Sequence, residues 1–97
     1  MFKIRRQNAV VFTDLEDGSG GVLLHLESKF YYSLNPTGSF IWKQLEEKEE
    51  MTEENLLEAV VDNFEVDAEE AKKDLEEFIE DLTREGLVIK IQEEVKV

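Results

Sequence analysis

Residues 23–45 read LLHLESKFYYSLNPTGSFIWKQL, and the spacing of their apolar residues changes once. Up to Leu34 the chain alternates. Val22, Leu24 and Leu26 fall opposite Leu23 and His25. After Glu27-Ser28, Phe30, Tyr32 and Leu34 share one face, with Tyr31 and Ser33 on the other. Alternation in stretches rich in aromatic and aliphatic residues predicts two strands. From Asn35-Pro36 onward the spacing is helical, with Phe40, Ile41 and Leu45 on one side. The Asn35 side chain can accept a hydrogen bond from the first helical turn, and Pro36 suits the first helical position. Proline also pushes the residue before it into extended geometry, as an N-cap requires. Together these signals predict a hairpin that feeds straight into a helix.

The composition narrows the function classes. A chain of 97 residues makes one domain with a modest core. It has no cysteine, which excludes a disulfide framework, a thiol nucleophile and a cysteine metal site. No run approaches the roughly 18 apolar residues of a membrane span, and the N-terminus MFKIRRQNAVVF lacks a cleavable signal pattern. The reading is a soluble, cytoplasmic protein. Its formal net charge of −13 opposes nucleic acid and anionic membrane, both of which are bound through lysine and arginine.

Outward from the hairpin, residues 1–8 read as a flexible N-terminal arm, 9–91 as a single domain and 92–97 as a tail. Residues 9–15 (AVVFTDL) form a first strand, and EDGSGG at 16–21 is a turn holding three of the chain's five glycines. Strands at 22–26 and 29–34 complete an antiparallel meander with its second strand central. The first helix runs from Pro36 to about Glu46, and Trp42 lies off its apolar stripe but wraps onto the core. Gly38 in the first turn is a poor helix former, and close approach of neighbouring backbone would account for it. EEKEE then reads as an acidic loop. Thr52 caps a second helix carrying Leu56, Leu57, Val60, Val61 and Phe64, with Met51 stapled onto Leu56. Asp67 and Glu70 predict a capping box for a third helix, in which Ala71, Leu75, Phe78 and Leu82 form the main stripe and Ile79 widens it. Gly86 ends that helix in a left-handed conformation, and residues 87–91 (LVIKI) are a candidate short C-terminal strand. The fold class is α+β and winged-helix-like: a three-stranded antiparallel meander followed by three helices.

Two constellations carry a resemblance. Leu34-Asn35-Pro36-Thr37-Gly38, followed by Ile41-Trp42, resembles an L-N-x-x-G turn leading into an I-W helix. Asp74-Leu75, Phe78-Ile79, Leu82 and Glu85-Gly86-Leu87 resemble a D-[VL]-x-x-F-[IL]-x-x-L helix ending in [E/R]-G-L. These are hallmarks of the PqqD-like family, and together they cover most of residues 20–90. The resemblance implies a recognition element for ribosomally made, post-translationally modified peptides. Such a domain binds the leader segment of a precursor peptide and presents its core to a modifying enzyme, often a radical SAM enzyme or a protease. Members serving pyrroloquinoline quinone synthesis typically carry a P-E-G turn and a G-W pair where this chain has Leu26-Glu27-Ser28 and Gly86-Leu87. The departure points to a relative acting on another peptide.

The physical basis would be strand addition. If the second strand of the meander is central, residues 29–34 have one unpaired side, free of proline and charged only at Lys29. Lys29, Phe30, Tyr31, Tyr32 and Ser33 are the edge residues expected to contact the guest. On the third helix, the flank of Lys72, Glu76, Ile79 and Thr83 holds an apolar anchor, whereas that of Asp74, Glu77, Asp81 and Glu85 does not. The first flank is therefore expected to border the peptide, with Leu75 at the groove floor and Lys72 or Lys73 meeting a leader carboxylate. On this reading Ile79→Glu abolishes peptide binding with less damage to folding than Phe78→Ala.

Other classes fit less well. The only histidine, His25, reads as one side of the sheet, and neither a D-x-D-x-D-G loop nor a phosphate-binding glycine loop is present. No catalytic residue, metal ligand or cofactor is assigned. A winged-helix DNA-binding regulator has similar element order, but residues 67–85 hold nine acidic residues against Lys72, Lys73 and Arg84. That sign is wrong for a phosphate-lined groove. An adaptor that docks biosynthetic enzymes without binding peptide is the remaining alternative.

Overall fold

A computed structural model describes residues 2–92. The elements are β1 (Phe2–Arg6), β2 (Val10–Asp14), β3 (Gly21–His25), β4 (Phe30–Leu34), α1 (Pro36–Lys48), β5 (Glu50–Thr52), α2 (Glu53–Asn63), α3 (Ala68–Arg84) and β6 (Val88–Gln92). They form two three-stranded antiparallel sheets, ordered β2-β3-β4 and β5-β1-β6. The mixed α+β architecture, with its meander and three helices, agrees with the sequence reading.

The junction after β4 is built as its residues dictate. Asn35 is extended, and its Oδ1 accepts the Gly38 N–H at 2.7 Å while Pro36 opens α1. The Thr52 hydroxyl accepts the Asn55 N–H at 3.1 Å and caps α2. At α3 the Asp67 carboxylate accepts from Glu69 N–H at 3.2 Å, one residue short of the expected capping-box donor. Gly86 has φ +73, its N–H bonds the Thr83 carbonyl, and the Leu87 N–H bonds that of Leu82. This pair of bonds is a Schellman motif, and it turns the chain sharply into β6.

Two segments differ from the sequence reading. Residues 2–6 are a strand where a flexible arm was expected. β1 lies at the centre of its sheet, paired with β6 from Phe2↔Gln92 to Arg6↔Val88 and with β5 from Lys3↔Thr52 to Arg5↔Glu50. Its pattern is FKIRR, in which Ile4 is fully buried between two exposed or half-exposed cations. One apolar residue among charges is a weak local signal, and the strand exists because distant segments pair with it. The acidic loop likewise contains β5, where Lys3 and Arg5 approach the Glu50 carboxylate at 3.8 and 4.0 Å. The expected tail lies outside the described residues except for Gln92, which ends β6.

A single core joins both sheets to the helices. Ile4, Leu23, Leu45, Leu56, Ile79, Leu82 and Leu87 have no exposed surface, and Trp42 has almost none. On α3 the buried residues are Ala71, Leu75, Ile79 and Leu82, while Phe78 is only partly buried. Phe78 and Ile79 thus exchange the roles their sequence pattern suggested.

Candidate functional site: the edge of β4 and the facing flank of α3

Four strands have an outer edge. β2 carries Asp14, β5 carries Glu50 and β6 carries Lys90, whereas β4 is FYYSL and carries no charge. Inward charges are a common way to block pairing with a foreign strand, and β4 lacks that protection. Among the described residues no other strand pairs with its outer side, because β6 joins β1 instead. Lys29 stands just outside the strand, at φ +62 in the hairpin turn, where its N–H bonds the His25 carbonyl.

Burial falls along the inner face of β4, with Leu34 buried, Tyr32 partly buried and Phe30 41% exposed. The Phe30 and Tyr32 rings lie 6.5 Å apart in a tilted pair. Tyr31 and Ser33 occupy the other face, and Tyr31 is 67% exposed. Aromatic surface left half open beside an unpaired edge can receive both the backbone and the side chains of an extended chain.

The Tyr32 phenol on β4 is affected by charges on α3. Burial pushes its pKa above the ordinary value, the Asp81 and Glu85 carboxylates push it further, and Arg84 opposes them. Asp81 and Glu85 are thus the α3 carboxylates near enough to Tyr32 to act on its phenol. One and two turns earlier along the same side, Phe78 and Asp74 line a cavity of about 220 Å³. Asn35 and Gly38 from the β4–α1 junction, with Ile41 and Leu75, line it too. A Cβ added at Gly38 would lie 3.2 Å from the Phe78 ring, so that ring would have to give way by a few tenths of an ångström. The close neighbour is thus an aromatic side chain, not the backbone that the sequence suggested. The cavity meets the end of β4 only at Asn35, the residue after it, and is otherwise lined by residues of α1, α2, α3 and the α2–α3 turn.

The raised phenol gives a pH prediction. A pKa higher in the folded chain than in the unfolded one stabilises the protein below the unfolded value, near 10, and is lost as pH rises through the folded value. Urea midpoints should accordingly fall more steeply above about pH 10 in the native protein than in Tyr32→Phe. Equal alkaline slopes in the two proteins would show that the phenol is not held neutral by the fold.

Of the residues singled out from sequence, Phe30, Tyr31, Tyr32 and Ser33 lie on β4 as expected, with Lys29 at its entrance. The α3 residues are differently placed. Lys72 and Glu76 line a separate hollow with Phe2, Thr52, Glu54 and Leu57. Lys73 is exposed, and Leu75 is buried and borders both hollows. Ile79 has no exposed surface, and the Thr83 hydroxyl donates to its carbonyl at 2.6 Å. Ile79 is interior, so it cannot border a guest. Asn35, Gly38, Asp74 and Phe78 line the cavity and Asp81 and Glu85 act on Tyr32, and none of the six was among the residues singled out from sequence to contact the guest. One signal for them was available: a glycine in the first turn of a helix marks a close approach.

The described residues contain no cluster of three histidine or acidic side chains suited to a metal ion. No helix among them is long and apolar enough to cross a membrane.

This arrangement defines a small α+β domain with an open edge strand facing a helix. The chain belongs to the PqqD family: the family model described as coenzyme PQQ synthesis protein D matches residues 20–88. Among solved structures it is similar to TbiB1 in complex with the TbiA(beta) leader peptide, with 29% identity and a TM-score of 0.78. That match covers 92% of this chain and 99% of the other. It also shares the fold of lasso peptide synthetase B1 complexed with the leader peptide, with 21% identity and a TM-score of 0.73. There the coverage is 89% of this chain and 96% of the other. No curated protein matches significantly.

Proposed function

We propose that this domain binds the leader segment of a ribosomally made precursor peptide as an added strand on β4. It holds the leader against α3 and presents the remainder to a modifying enzyme, such as a radical SAM enzyme or protease. The observation that carries this reading is the uncharged, unpaired edge of β4 beside a half-open aromatic groove, in a fold shared with two leader-peptide complexes. The role is recognition in the cytoplasm, without catalysis or a cofactor.

Magnitudes agree with such a role. About four backbone hydrogen bonds at about 1 kcal/mol net each and two buried anchors at about 2 kcal/mol each sum to about 8 kcal/mol. Ordering the peptide removes several of these, which leaves micromolar binding within reach.

Titration with the leader of the cognate precursor, followed by amide hydrogen exchange, tests the reading. Binding should be saturable, and alternate amides of β4 should change from fast to protected exchange. Those of β2, the other edge of the same sheet, should stay as they were. Lack of saturable binding by a folded domain would leave the adaptor role in its place.

A further inference from the structure

We infer that the guest strand is cationic, with lysine or arginine side chains directed at α3 on either side of an apolar anchor. The inference rests on the strand-addition reading above and adds the chemistry of the segment selected. The unpaired edge and the cavity define the site; the carboxylates decide what enters it.

Acidic residues occur all around α3, so position is what matters. Glu70 and Asp74 line the cavity, while Asp81 and Glu85 act on the Tyr32 phenol. Successive steps of four, seven and four residues place these carboxylates along one stripe of the helix. At 1.5 Å per residue the stripe is roughly 22 Å long, the span of about seven residues of extended chain. Every second guest side chain would face it.

The cations nearby do not neutralise this wall. Arg84 pairs with Asp81, three residues away on the same helix. Lys29 stands outside β4, and β4 itself contributes no charge. Lys72 borders the other hollow. Glu70, Asp74 and Glu85 are exposed, and none of them takes part in an ion pair within 4 Å among the described residues. An acidic guest strand would meet like charge along the whole groove, whereas a basic one would supply the missing counterions. The apolar cavity between Gly38 and Phe78 accepts one uncharged side chain between them.

Selection from a displayed library of random dodecapeptides tests this without knowledge of the natural leader. Three forms of the whole domain are compared: the native chain, the groove variant E70Q/D74N/E85Q, and E47Q/E58Q/D62N, which removes equal charge from exposed positions of α1 and α2. Peptides enriched on the native domain should carry lysine or arginine around an apolar residue. The groove variant should lose that bias and bind a selected basic peptide about tenfold more weakly at low salt, with the gap closing as salt rises. The second triple variant should retain the bias. Neutral or acidic winners, or equal loss of bias in both variants, would overturn the inference while leaving strand addition intact. Failure of any peptide to enrich on a folded native domain would overturn both.

Discussion

Ile79→Glu should unfold the domain, whereas Phe78→Ala should leave it folded and weaken peptide binding roughly thirtyfold. The two residues are adjacent, yet a helix turns by about 100° between them, and here that rotation separates interior from groove. Ile79 has no exposed surface and lies among Leu75, Leu82 and the other core residues. A carboxylate there finds no described partner, and a buried unpaired charge belongs to the class of substitutions costing more than about 4 kcal/mol. That is comparable to the whole stability of many small domains. Phe78 is only partly buried, so its truncation should cost less than the roughly 3–5 kcal/mol of a fully buried phenylalanine. It would still remove an anchor worth about 2 kcal/mol to a guest, which corresponds to the thirtyfold loss. Chemical denaturation of both variants, with leader titration of Phe78→Ala, checks the pair. A folded Ile79→Glu that no longer binds leader, beside a Phe78→Ala that binds normally, would reinstate the assignment made from sequence.

The second large effect is expected at Gly20. Its φ is +124, and an added Cβ would sit 1.9 Å from the Leu34 carbonyl oxygen. That oxygen belongs to the last residue of β4, immediately before the Asn35 cap of α1. No rotamer can relieve a clash with backbone, so the start of β3 must move away from the end of β4. Gly20→Ala should therefore lose several kcal/mol and disturb the β3–β4 register that holds the groove's aromatic side in place. Gly18 is the internal control. It too has positive φ, +82, but nothing lies within 4 Å of its missing Cβ. Gly18→Ala should cost only the left-handed backbone penalty, about 1–2 kcal/mol. Equal denaturation midpoints for the two variants would mean that the close approach at Gly20 is relaxed in solution.

Much of this molecule is written locally. The alternation at 22–34, the Asn35-Pro36 cap, the Thr52 and Asp67 caps and Gly86 each act within a few residues of their own position. Their elements therefore form where the sequence places them. Trp42 illustrates the margin of such reasoning: it lies beside its helix's apolar stripe yet is 1% exposed, because the core wraps further around α1 than one stripe suggests. The uncharged edge at β4 was legible for the same local reason, since charge and proline are visible in the chain itself.

What the sequence alone determined is the set of local elements, the acidic surface and the strand left without its own blocking charge. Tertiary structure decided three other matters. It recruited Phe2–Arg6 as a central strand, because pairing with residues 50–52 and 88–92 outweighs the weak propensity of FKIRR. It sent β6 to β1 and so left β4 open. It also fixed the rotation of α3 about its axis, burying Ile79, setting Phe78 on the cavity and bringing Asp81 and Glu85 near Tyr32. A helix with apolar residues at both 78 and 79 can bury either one, and only the shape of the surface it packs against selects between them.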